Sequence, residues 1–221
     1  MPEATIAALA ERLPGLVLVN AYGATETTSP TSIMPPGDGA AHPDSVGRVV
    51  PGGSVRVVDA EGRDLPAGEA GEIWIAGPMV VPGYWRRPDA NAAEFTAEGF
   101  WRSGDIGSLD AEGYLRVFDR KKDMINRAGY KVFSAEVENV LNLHPAIVES
   151  AVIGVPDAVL GERVKAVVVP REPSVTPAAI RAFCAERLAD YKIPEFIELS
   201  PEPLPRNANG KLQKAALRGR R

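Results

Sequence analysis

The stretch Leu16-Val17-Leu18-Val19-Asn20-Ala21-Tyr22-Gly23-Ala24-Thr25-Glu26 is the most informative part of the sequence. Four consecutive apolar residues without alternation are typical of a strand inside a parallel sheet that is covered on both faces. The polar, glycine-containing segment that follows lies where such a strand would end, and open α/β sheets bind ligands beyond the carboxyl ends of their strands. The stretch therefore predicts an α/β domain with a ligand site in the loop after the strand.

The residues before this stretch predict a helix that leads into the strand. Within Thr5–Leu13, the apolar residues Ile6, Leu9 and Leu13 follow helical spacing, and Pro14-Gly15 would end the helix. A buried strand is not stable without neighbouring strands. We therefore expect the chain to begin inside a larger α/β domain, of which residues 1–118 are the remnant.

From about residue 46 to residue 118 the pattern changes to short alternating runs. Ser54–Val58 and Gly71–Ile75 are examples, and Gly, Pro and Asp residues separate the runs. This pattern predicts an antiparallel β subdomain, which we expect to be a small barrel.

Five consecutive charged residues at 119–123, Asp119-Arg120-Lys121-Lys122-Asp123, mark a change of composition and predict a hinge. Residues 124–221 have the pattern of a small α+β domain. We expect its helices to begin at N-caps Ser134 and Thr176. The predicted helices are Ser134–Leu143 and Pro177–Leu188, and the predicted strands are Met124–Asn126, Lys131–Phe133, Ile147–Val155, Val164–Val169 and Phe196–Leu199.

The composition narrows the class of protein. Its 221 residues, 45% of them hydrophobic and 24% charged, are typical of a globular protein and exclude a disordered chain. One cysteine, Cys184, and two histidines, His42 and His144, argue against disulfides and against a metal site built from these residue types. No apolar run approaches ~18 residues, and no signal-peptide pattern opens the chain. We therefore expect a cytoplasmic protein without a membrane span.

The charge distribution is uneven along the chain. Acidic side chains outnumber basic ones before residue 119, basic ones prevail after it, and no acid follows Glu202. A basic end of this kind attracts phosphate or another anion. Because interleaved exposed aromatic residues are absent, we expect no nucleic-acid partner.

Three segments carry residue types suited to chemistry on a nucleotide. In the loop after the first strand, Tyr22 offers a flat face for a ring, and Glu26 offers a hard carboxylate suited to Mg²⁺. Asp105, next to a glycine, can accept both hydroxyls of a ribose. Lys211, in a glycine-containing segment, can lie between two anionic oxygens and stabilise charge that develops there. Taken alone, the first segment is equally compatible with an ordinary polar loop. A turn at Asp105 and an exposed tail at Lys211 are the commoner interpretations of the other two.

Taken together and in this order, the segments resemble the adenylate-forming superfamily of acyl-CoA synthetases, peptide-synthetase adenylation domains and luciferases. The resemblance covers essentially the whole chain, but no Ser/Thr/Gly-rich phosphate loop of the family is present. It implies the end of a large N-terminal α/β domain, then a small C-terminal lid domain, and an enzyme part that is inactive alone. The matching segments are Asn20–Glu26, Gly71–Gly77, Gly83–Trp85, Trp101–Asp105, Asp119–Asp123, Gly129–Lys131, Glu136–Glu138 and Pro205–Lys211.

The resemblance implies a role for individual residues in the nucleotide site. Tyr22 would stack on adenine with Asn20 near its edge, Thr25 would meet the α-phosphate, and Glu26 would bind Mg²⁺. Asp105 would hold the ribose hydroxyls. The implied nucleotide-binding set is Asn20, Tyr22, Gly23, Thr25, Asp105 and Arg120.

The resemblance also implies roles in the second half of the chain. Lys122 would be the hinge about which the small domain rotates between two half-reactions. Lys211 would bridge the substrate carboxylate and the α-phosphate during adenylation. Gly129 would line the tunnel for the pantetheine arm of CoA, and Lys131 would meet a CoA phosphate.

The implied reaction activates a carboxylic acid with ATP and Mg²⁺, gives an acyl-adenylate and pyrophosphate, and then lets the CoA thiol displace AMP. The implied partners are a fatty or aryl acid, ATP, CoA and the N-terminal part of the same enzyme. Two alternatives remain open, an adenylation domain that loads a carrier protein and a non-catalytic nucleotide-binding remnant. The sequence indicates neither the acid nor the oligomeric state.

Overall fold

The chain forms two compact units in the computed structural model, which describes residue 9, residues 11–28 and residues 30–219. We call Gly15–Lys121 the first unit and the part from Lys122 onward the second unit; the described residues before Gly15 are grouped with the second unit. The division falls between two lysines of the charged run. The mixed α/β class predicted from the sequence is confirmed.

The first unit contains two antiparallel sheets. A three-stranded sheet has the order β1-β2-β3, and a four-stranded sheet has the sequential order β4-β5-β6-β7. The strands are β1 (Ala21–Tyr22), β2 (Ser32–Ile33), β3 (Arg48–Val49), β4 (Ser54–Val58), β5 (Gly71–Ala76), β6 (Trp101–Leu109) and β7 (Leu115–Arg120).

The larger sheet does not close on itself, so the predicted small barrel is wrong. Four strands are too few to close around a packed interior. Instead, alternate residues of β5, among them Ile73 and Ile75, are fully buried in a cluster with Trp101 and Leu115. The ring of Tyr22 packs against that cluster. The segment that carries the candidate ligand loop therefore packs against this apolar cluster.

A helix, α1 (Pro88–Glu94), lies within the region predicted to be entirely β. Proline occupies its first turn, where a missing N–H costs nothing, and Asp89 lies near the positive end of the helix dipole. A helix of this length is not stable alone and depends on tertiary contacts, so its pattern is too short to recognise in the sequence.

The predicted strand at Leu16–Val19 does not form. These four residues have no regular secondary structure, and Val17 is 73% exposed. The expectation of a covered strand is therefore not met within the described residues, because no neighbouring strand pairs with this segment there. The predicted helix at Thr5–Leu13 falls mostly outside the described residues. Within that range the structure describes residues 9 and 11–13, and residues 9, 11 and 12 are helical.

The second unit is a five-stranded sheet with helices. Its strand order is β10-β11-β8-β9, and β12 pairs with β11 in parallel. The strands are β8 (Ile125–Arg127), β9 (Tyr130–Val132), β10 (Ile147–Asp157), β11 (Gly161–Pro170) and β12 (Phe196–Leu199). The helices are α2 (Ser134–Asn142), α3 (Pro177–Ala185) and α4 (Lys214–Arg218). Apart from α4, these are the elements predicted there, with ends that differ by up to three residues.

The long hairpin β10–β11 has a core on each face, because successive side chains of a strand point to opposite sides. Val152 and its neighbours pack with α2 and α3, and buried Cys184 belongs to that core, as expected for a structural cysteine. Ile153 and Val167 pack instead with Leu204 and Leu217 near the end of the chain. The second core holds the segment that carries Lys211.

The two predicted helix caps differ in outcome. Thr176 is the N-cap of α3, and its hydroxyl accepts a hydrogen bond from the Ala179 N–H at 3.2 Å, as predicted. The N-cap of α2 is Phe133, and Ser134 is its first helical residue. The Ser134 hydroxyl accepts a hydrogen bond from Lys214 at 2.6 Å instead, so the tertiary contact overrides the local capping preference.

No helix in the described part of the chain combines the length and the apolar character that a bilayer crossing requires.

Candidate active site

Tyr22, Asp105 and Arg120 are brought together in the first unit. The Tyr22 hydroxyl donates a hydrogen bond of 2.6 Å to Oδ2 of Asp105, which lies 83 residues away in the sequence. Arg120 is paired with Asp105 across β6 and β7, and its Nε lies 3.4 Å from Oδ1 of that carboxylate. Each carboxylate oxygen of Asp105 therefore faces a hydrogen-bond donor. The donor Tyr22 is half-buried, and the donor Arg120 is exposed.

Asp105 is held in place by the neighbouring backbone. It is only 7% exposed, and its N–H donates to the Ser103 hydroxyl at 3.0 Å. Ser103 in turn donates to the Ile73 carbonyl on β5 at 2.6 Å. Gly104 between them has a φ of 68°, which a residue with a side chain rarely adopts. The turn-like Ser-Gly-Asp segment is thus built into a strand and fixes the direction of the carboxylate.

The Tyr22 hydroxyl remains a hydrogen-bond donor at all ordinary pH values. Its burial and then the adjacent Asp105 carboxylate raise the pKa of Tyr22 far above its usual value, because both disfavour a phenolate. The pair therefore joins an aromatic face to a carboxylate. A nucleoside needs both features, one for the base and one for the ribose hydroxyls.

The loop after Tyr22 is ordered by its own hydrogen bonds. A short 3-10 helix spans Thr25–Thr27, and the Thr27 hydroxyl accepts from the Ala24 N–H at 2.9 Å. Thr25 is exposed, and Glu26 is half-buried. The left-handed residue of the loop is Thr28, with a φ of 49°, whereas Gly23 is not in that region. The tight turn of this loop therefore lies at Thr28.

Asn20, which the resemblance places at the adenine edge, is engaged with the backbone. Its side-chain amide donates to the Ser45 carbonyl at 2.8 Å, and its own carbonyl accepts from the Met34 N–H at 2.8 Å. These bonds fix the start of the candidate ligand loop. The side-chain oxygen of Asn20 is then the acceptor that the residue can offer to a ligand.

Glu26 has a neighbour that sequence reasoning did not assign. The Tyr84 hydroxyl lies 2.9 Å from Oε1 of Glu26 and 2.6 Å from Oε2 of Glu94. Burial, followed by the Glu94 and Glu26 carboxylates, raises the pKa of Tyr84 well above its usual value. Tyr84 lies in the Gly83–Trp85 segment, which the resemblance matched as structural, so no sequence signal linked it to Glu26.

The residues present fit a magnesium ion that is shared with a nucleotide. Among the described residues, no group of three or more His, Cys, Asp or Glu side chains could hold a metal by itself. Mg²⁺ usually keeps several waters and needs only one or two carboxylates besides substrate phosphates. The carboxylate of Glu26, in an otherwise accessible loop, meets that requirement.

Lys211 lies in a tight loop of the second unit. The loop is closed by an isolated bridge between Arg206 and Leu212. Inside it, the Asn207 side chain accepts from the Lys211 N–H at 2.9 Å, and Gly210 adopts a φ of 76° in open space. The side chain of Lys211 is exposed. The backbone around this lysine is therefore ordered, while its ammonium group is accessible.

Glu149 on β10 anchors the start of the Lys211 loop. Its Oε1 accepts from the Leu204 N–H at 2.8 Å, and its Oε2 accepts from Arg206 at 2.5 Å. Arg206 also donates to the Gly210 carbonyl at 2.9 Å. One carboxylate thus connects the central hairpin of the second unit to the residue just before Lys211.

The helix α4 anchors the other end of the loop. Lys214 lies 2.7 Å from Oε1 of Glu138 on α2, and Leu217 is fully buried in the second core. At the end of α4, Arg218 donates to the Lys122 carbonyl and to the Asp123 carboxylate, both at 2.9 Å. The chain after Lys211 is therefore tied to the last two residues of the charged run at 119–123.

Gly129 lies at the tip of the hairpin β8–β9. Ala128 and Gly129 both have positive φ values, 51° and 88°, as in a type I′ turn. A Cβ on Gly129 would have no neighbour within 4 Å, and Lys131 is exposed on β9. The second unit thus contains the candidate residues Lys122, Gly129, Lys131 and Lys211. The first unit contains Tyr22, Asp105 and Arg120.

Two family models match different parts of the chain. The family model described as AMP-binding enzyme matches residues 1–85, and the model described as AMP-binding enzyme C-terminal domain matches residues 136–211.

Among curated proteins, the chain is similar to a long-chain-fatty-acid–CoA ligase of Yersinia pestis, with 42% identity over 208 residues, 94% of this chain and 36% of the ligase. It is also similar to pyochelin synthase PchD of Pseudomonas aeruginosa, with 46% identity over 171 residues, 77% of this chain and 31% of the synthase. The chain therefore spans about a third of the length of these relatives.

Among solved structures, the chain is similar to o-succinylbenzoate CoA synthetase (MenE) from Bacillus subtilis in complex with its acyl-adenylate intermediate. The TM-score is 0.91 at 35% identity, over 100% of this chain and 44% of that enzyme. The same enzyme in complex with ATP and a magnesium ion gives a TM-score of 0.87 at 35% identity, over 96% of this chain and 43% of that chain.

Proposed function

This chain belongs to the AMP-binding family of adenylate-forming enzymes, and we propose that the protein of which it forms part is an ATP-dependent carboxylic acid–CoA ligase. The observation that carries the proposal is the hydrogen bond between Tyr22 and Asp105. It joins a ring face and a carboxylate at the loop that also carries Glu26. The similarity to a long-chain-fatty-acid–CoA ligase and to a CoA synthetase supports CoA as the thiol that accepts the acyl group.

In the proposed reaction the first unit binds the nucleotide. Tyr22 stacks on the adenine, with Asn20 at its edge and Gly23 in the same loop. Asp105 accepts the ribose hydroxyls, helped by the guanidinium of Arg120. These contacts orient the α-phosphate, and orientation by fixed groups replaces the entropy that a reaction in solution loses.

The phosphates would meet the residues after Tyr22. The Thr25 hydroxyl donates to the α-phosphate, and Glu26 holds the magnesium ion. When bound, Mg²⁺ neutralises charge on the phosphate oxygens. The half-buried Glu26 carboxylate fixes the place of that positive charge.

Lys211 would act in the first half-reaction. An oxygen of the substrate carboxylate forms a bond to the α-phosphorus, and the bond from that phosphorus to the pyrophosphate oxygen breaks. Both reacting groups are anionic, so an ammonium group between them lowers their repulsion and stabilises the charge of the transition state. The ordered backbone and exposed side chain of Lys211 suit a cation that enters a site from outside.

The second half-reaction would use another face of the second unit. After a rotation about Lys122, the hairpin tip at Gly129 lines the path of the pantetheine arm, and Lys131 meets a CoA phosphate. The CoA sulfur then bonds to the acyl carbon, and AMP leaves. Domain rotation between two half-reactions is a known way to assemble two sites from one lid.

We propose residues 1–118 as part of the large AMP-binding domain, 119–123 as the hinge, and 124–221 as the small lid domain. The phosphate loop and most of the acid pocket then belong to an N-terminal part of the same enzyme, without which these residues are inactive. A fatty or aryl acid is the proposed substrate class, in keeping with the named ligase relatives. We place the protein in the cytoplasm, where its single, buried cysteine stays reduced.

The proposal is tested by Lys211→Gln and Lys131→Gln in the intact protein. Lys211→Gln should lower acid-dependent ATP–pyrophosphate exchange by about 10²–10³-fold, the usual effect of removing one charge-stabilising group. It should leave thioester formation from preformed acyl-adenylate unchanged. Lys131→Gln is the matched control, because it removes the same charge from the other proposed site and should affect only the CoA step. Equal loss of both half-reactions in Lys211→Gln contradicts the assignment.

Two other functions remain as outcomes of the same assay. Turnover with a carrier protein but not with free CoA identifies an adenylation domain that loads a carrier. Nucleotide binding by the intact protein without exchange on any acid identifies a non-catalytic module.

A further inference from the structure

The Tyr84 hydroxyl lies between two carboxylates of the first unit. It is 2.9 Å from Glu26 and 2.6 Å from Glu94, and both distances are within hydrogen-bond range. A phenol has one proton, so it donates to one carboxylate at a time. The three groups therefore have two acceptors for a single donor.

The position of Tyr84 is fixed by Asn91 of α1. The Tyr84 N–H donates to the Asn91 side-chain oxygen at 2.6 Å, and the Asn91 amide donates back to the Tyr84 carbonyl at 3.1 Å. Gly83 has a φ of 146°, and a Cβ there would lie 3.0 Å from the Asn91 amide. The ring of Phe95 packs edge-on against Tyr84 at 5.6 Å. The Asn91 side chain and the Phe95 ring thus hold this tyrosine in place.

The same segment also holds the backbone of the Glu26 loop. The Val81 N–H donates to the Glu26 carbonyl at 2.8 Å. The Thr28 hydroxyl donates to the Met79 carbonyl at 2.9 Å. Because both the backbone and the carboxylate of Glu26 contact residues 79–84, the orientation of Glu26 depends on that segment.

We propose that Tyr84 and Glu94 are positioning residues that orient Glu26 for the divalent cation. Without a cation, the Tyr84 hydroxyl donates its one proton to either carboxylate, and its shorter contact is with Glu94. With a cation on Glu26, the O–H bond would point to Glu94, so Glu26 would face the cation and Glu94 the phenol proton. Only the direction of one O–H bond changes, so no proton is gained or lost.

This inference rests on the proposed function, in which Glu26 binds the metal that accompanies ATP. Groups that hydrogen-bond to a metal ligand typically alter metal affinity by about 10–100-fold when they are removed. The expected effect is therefore on cation affinity. The thioester half-reaction from preformed acyl-adenylate needs no metal–ATP complex and should not change.

The test measures cation binding directly in the intact protein. Mn²⁺ is titrated in the presence of the unreactive α,β-methylene analogue of ATP, and free Mn²⁺ is followed by electron paramagnetic resonance. Tyr84→Phe should raise the dissociation constant about tenfold, and Glu94→Gln, which keeps the tyrosine and the shape of the acceptor, should raise it by a smaller factor. The Mg²⁺ concentration for half-maximal pyrophosphate exchange should rise by the same factors.

Tyr114→Phe is the matched control. It removes another tyrosine hydroxyl of the same unit, one that donates to the Asp38 carboxylate at 2.5 Å. It should leave Mn²⁺ affinity at the wild-type value. Should Tyr84→Phe fail to fold, Glu94→Gln decides the matter alone.

The outcomes separate the two claims. Wild-type Mn²⁺ affinity in both Tyr84→Phe and Glu94→Gln overturns the positioning role and leaves the proposed ligase intact. Weakened Mn²⁺ binding in the variants of a protein that shows no pyrophosphate exchange overturns the ligase and supports the positioning role. A wild-type protein that binds no Mn²⁺ with the analogue overturns both.

Discussion

Replacing Glu149 by glutamine should loosen the loop that carries Lys211. Glutamine keeps an acceptor for the Leu204 N–H but loses the charge that faces Arg206. Arg206 is about half exposed, so the ion pair is screened and contributes about 0.5–1 kcal/mol. The bond from Leu204 becomes a neutral one, which costs roughly another 0.5–1 kcal/mol. A total of about 1–2 kcal/mol makes opening of the loop roughly 5- to 30-fold more frequent.

The pH dependence of this effect follows from the pKa of Glu149. Partial burial disfavours its charge, but the Leu204 amide and the Arg206 guanidinium outweigh burial and hold the pKa of Glu149 below its usual value. A carboxyl whose pKa is lowered by folding stabilises the fold above its unfolded pKa, near 4.3, and loses that contribution as the pH falls through the folded pKa. The difference between wild type and Glu149→Gln should be complete at pH 7, begin to shrink near pH 4.3 and vanish only below the lowered folded pKa.

The assay is amide hydrogen exchange at Leu204 and Lys211 in the intact protein, together with the two half-reactions. Both amides should exchange faster in Glu149→Gln, and adenylation should fall while thioester formation is spared. Glu198→Gln is the matched control, because it breaks a 2.7 Å ion pair with Lys165 between β11 and β12. Unchanged exchange at both amides, or a stability difference that stays the same as the pH falls from 7 to 3, would refute the reasoning.

Two further predictions concern the cores and the nucleotide site. Tyr22→Phe keeps the ring and removes the hydroxyl that donates to Asp105. A hydrogen bond to a charged group contributes about 1.5–3 kcal/mol, part of which Arg120 offsets, so nucleotide affinity measured by calorimetry should fall roughly tenfold. Unchanged affinity would mean that the hydroxyl does not position the carboxylate. Leu217→Ala should lower the free energy of unfolding of the second unit, measured by urea denaturation, by about 2–5 kcal/mol, because Leu217 is fully buried. The control Val159→Ala, at a residue 87% exposed, should change that free energy by less than about 0.5 kcal/mol. Equal effects of these two substitutions would contradict the proposed second core.

The second unit was predicted well because its elements carry local signals. The strand Phe196–Leu199 has the predicted ends, and α3 begins at its predicted proline after the Thr176 cap. Alternation and capping act over a few residues, so a sequence displays them directly. The cap of α2 failed for the opposite reason, since a lysine 80 residues away uses the Ser134 hydroxyl.

The first unit was predicted less completely because its contacts are long-range. The run Leu16–Val19 has the pattern of a covered strand, but pairing depends on a partner that a local pattern does not specify. The short helix α1 was missed, and with it the contacts of Asn91 and Glu94 to Tyr84. Tyr22 and Asp105 were expected in one site only through the family resemblance. Their hydrogen bond depends on a fold that brings β1 to β6.

The bonds on either side of the proposed hinge determine which part of it can turn. The Lys121 N–H donates to the Gly104 carbonyl at 2.8 Å within the first unit, and Arg218 holds the Lys122 carbonyl at 2.9 Å within the second. A rotation that keeps these bonds has to use the φ and ψ angles of Lys121 and Lys122 alone. The proposed hinge would then have only a few sterically allowed conformations, unlike a flexible linker of several residues. The orientations open to the lid would be set by the backbone of two lysines.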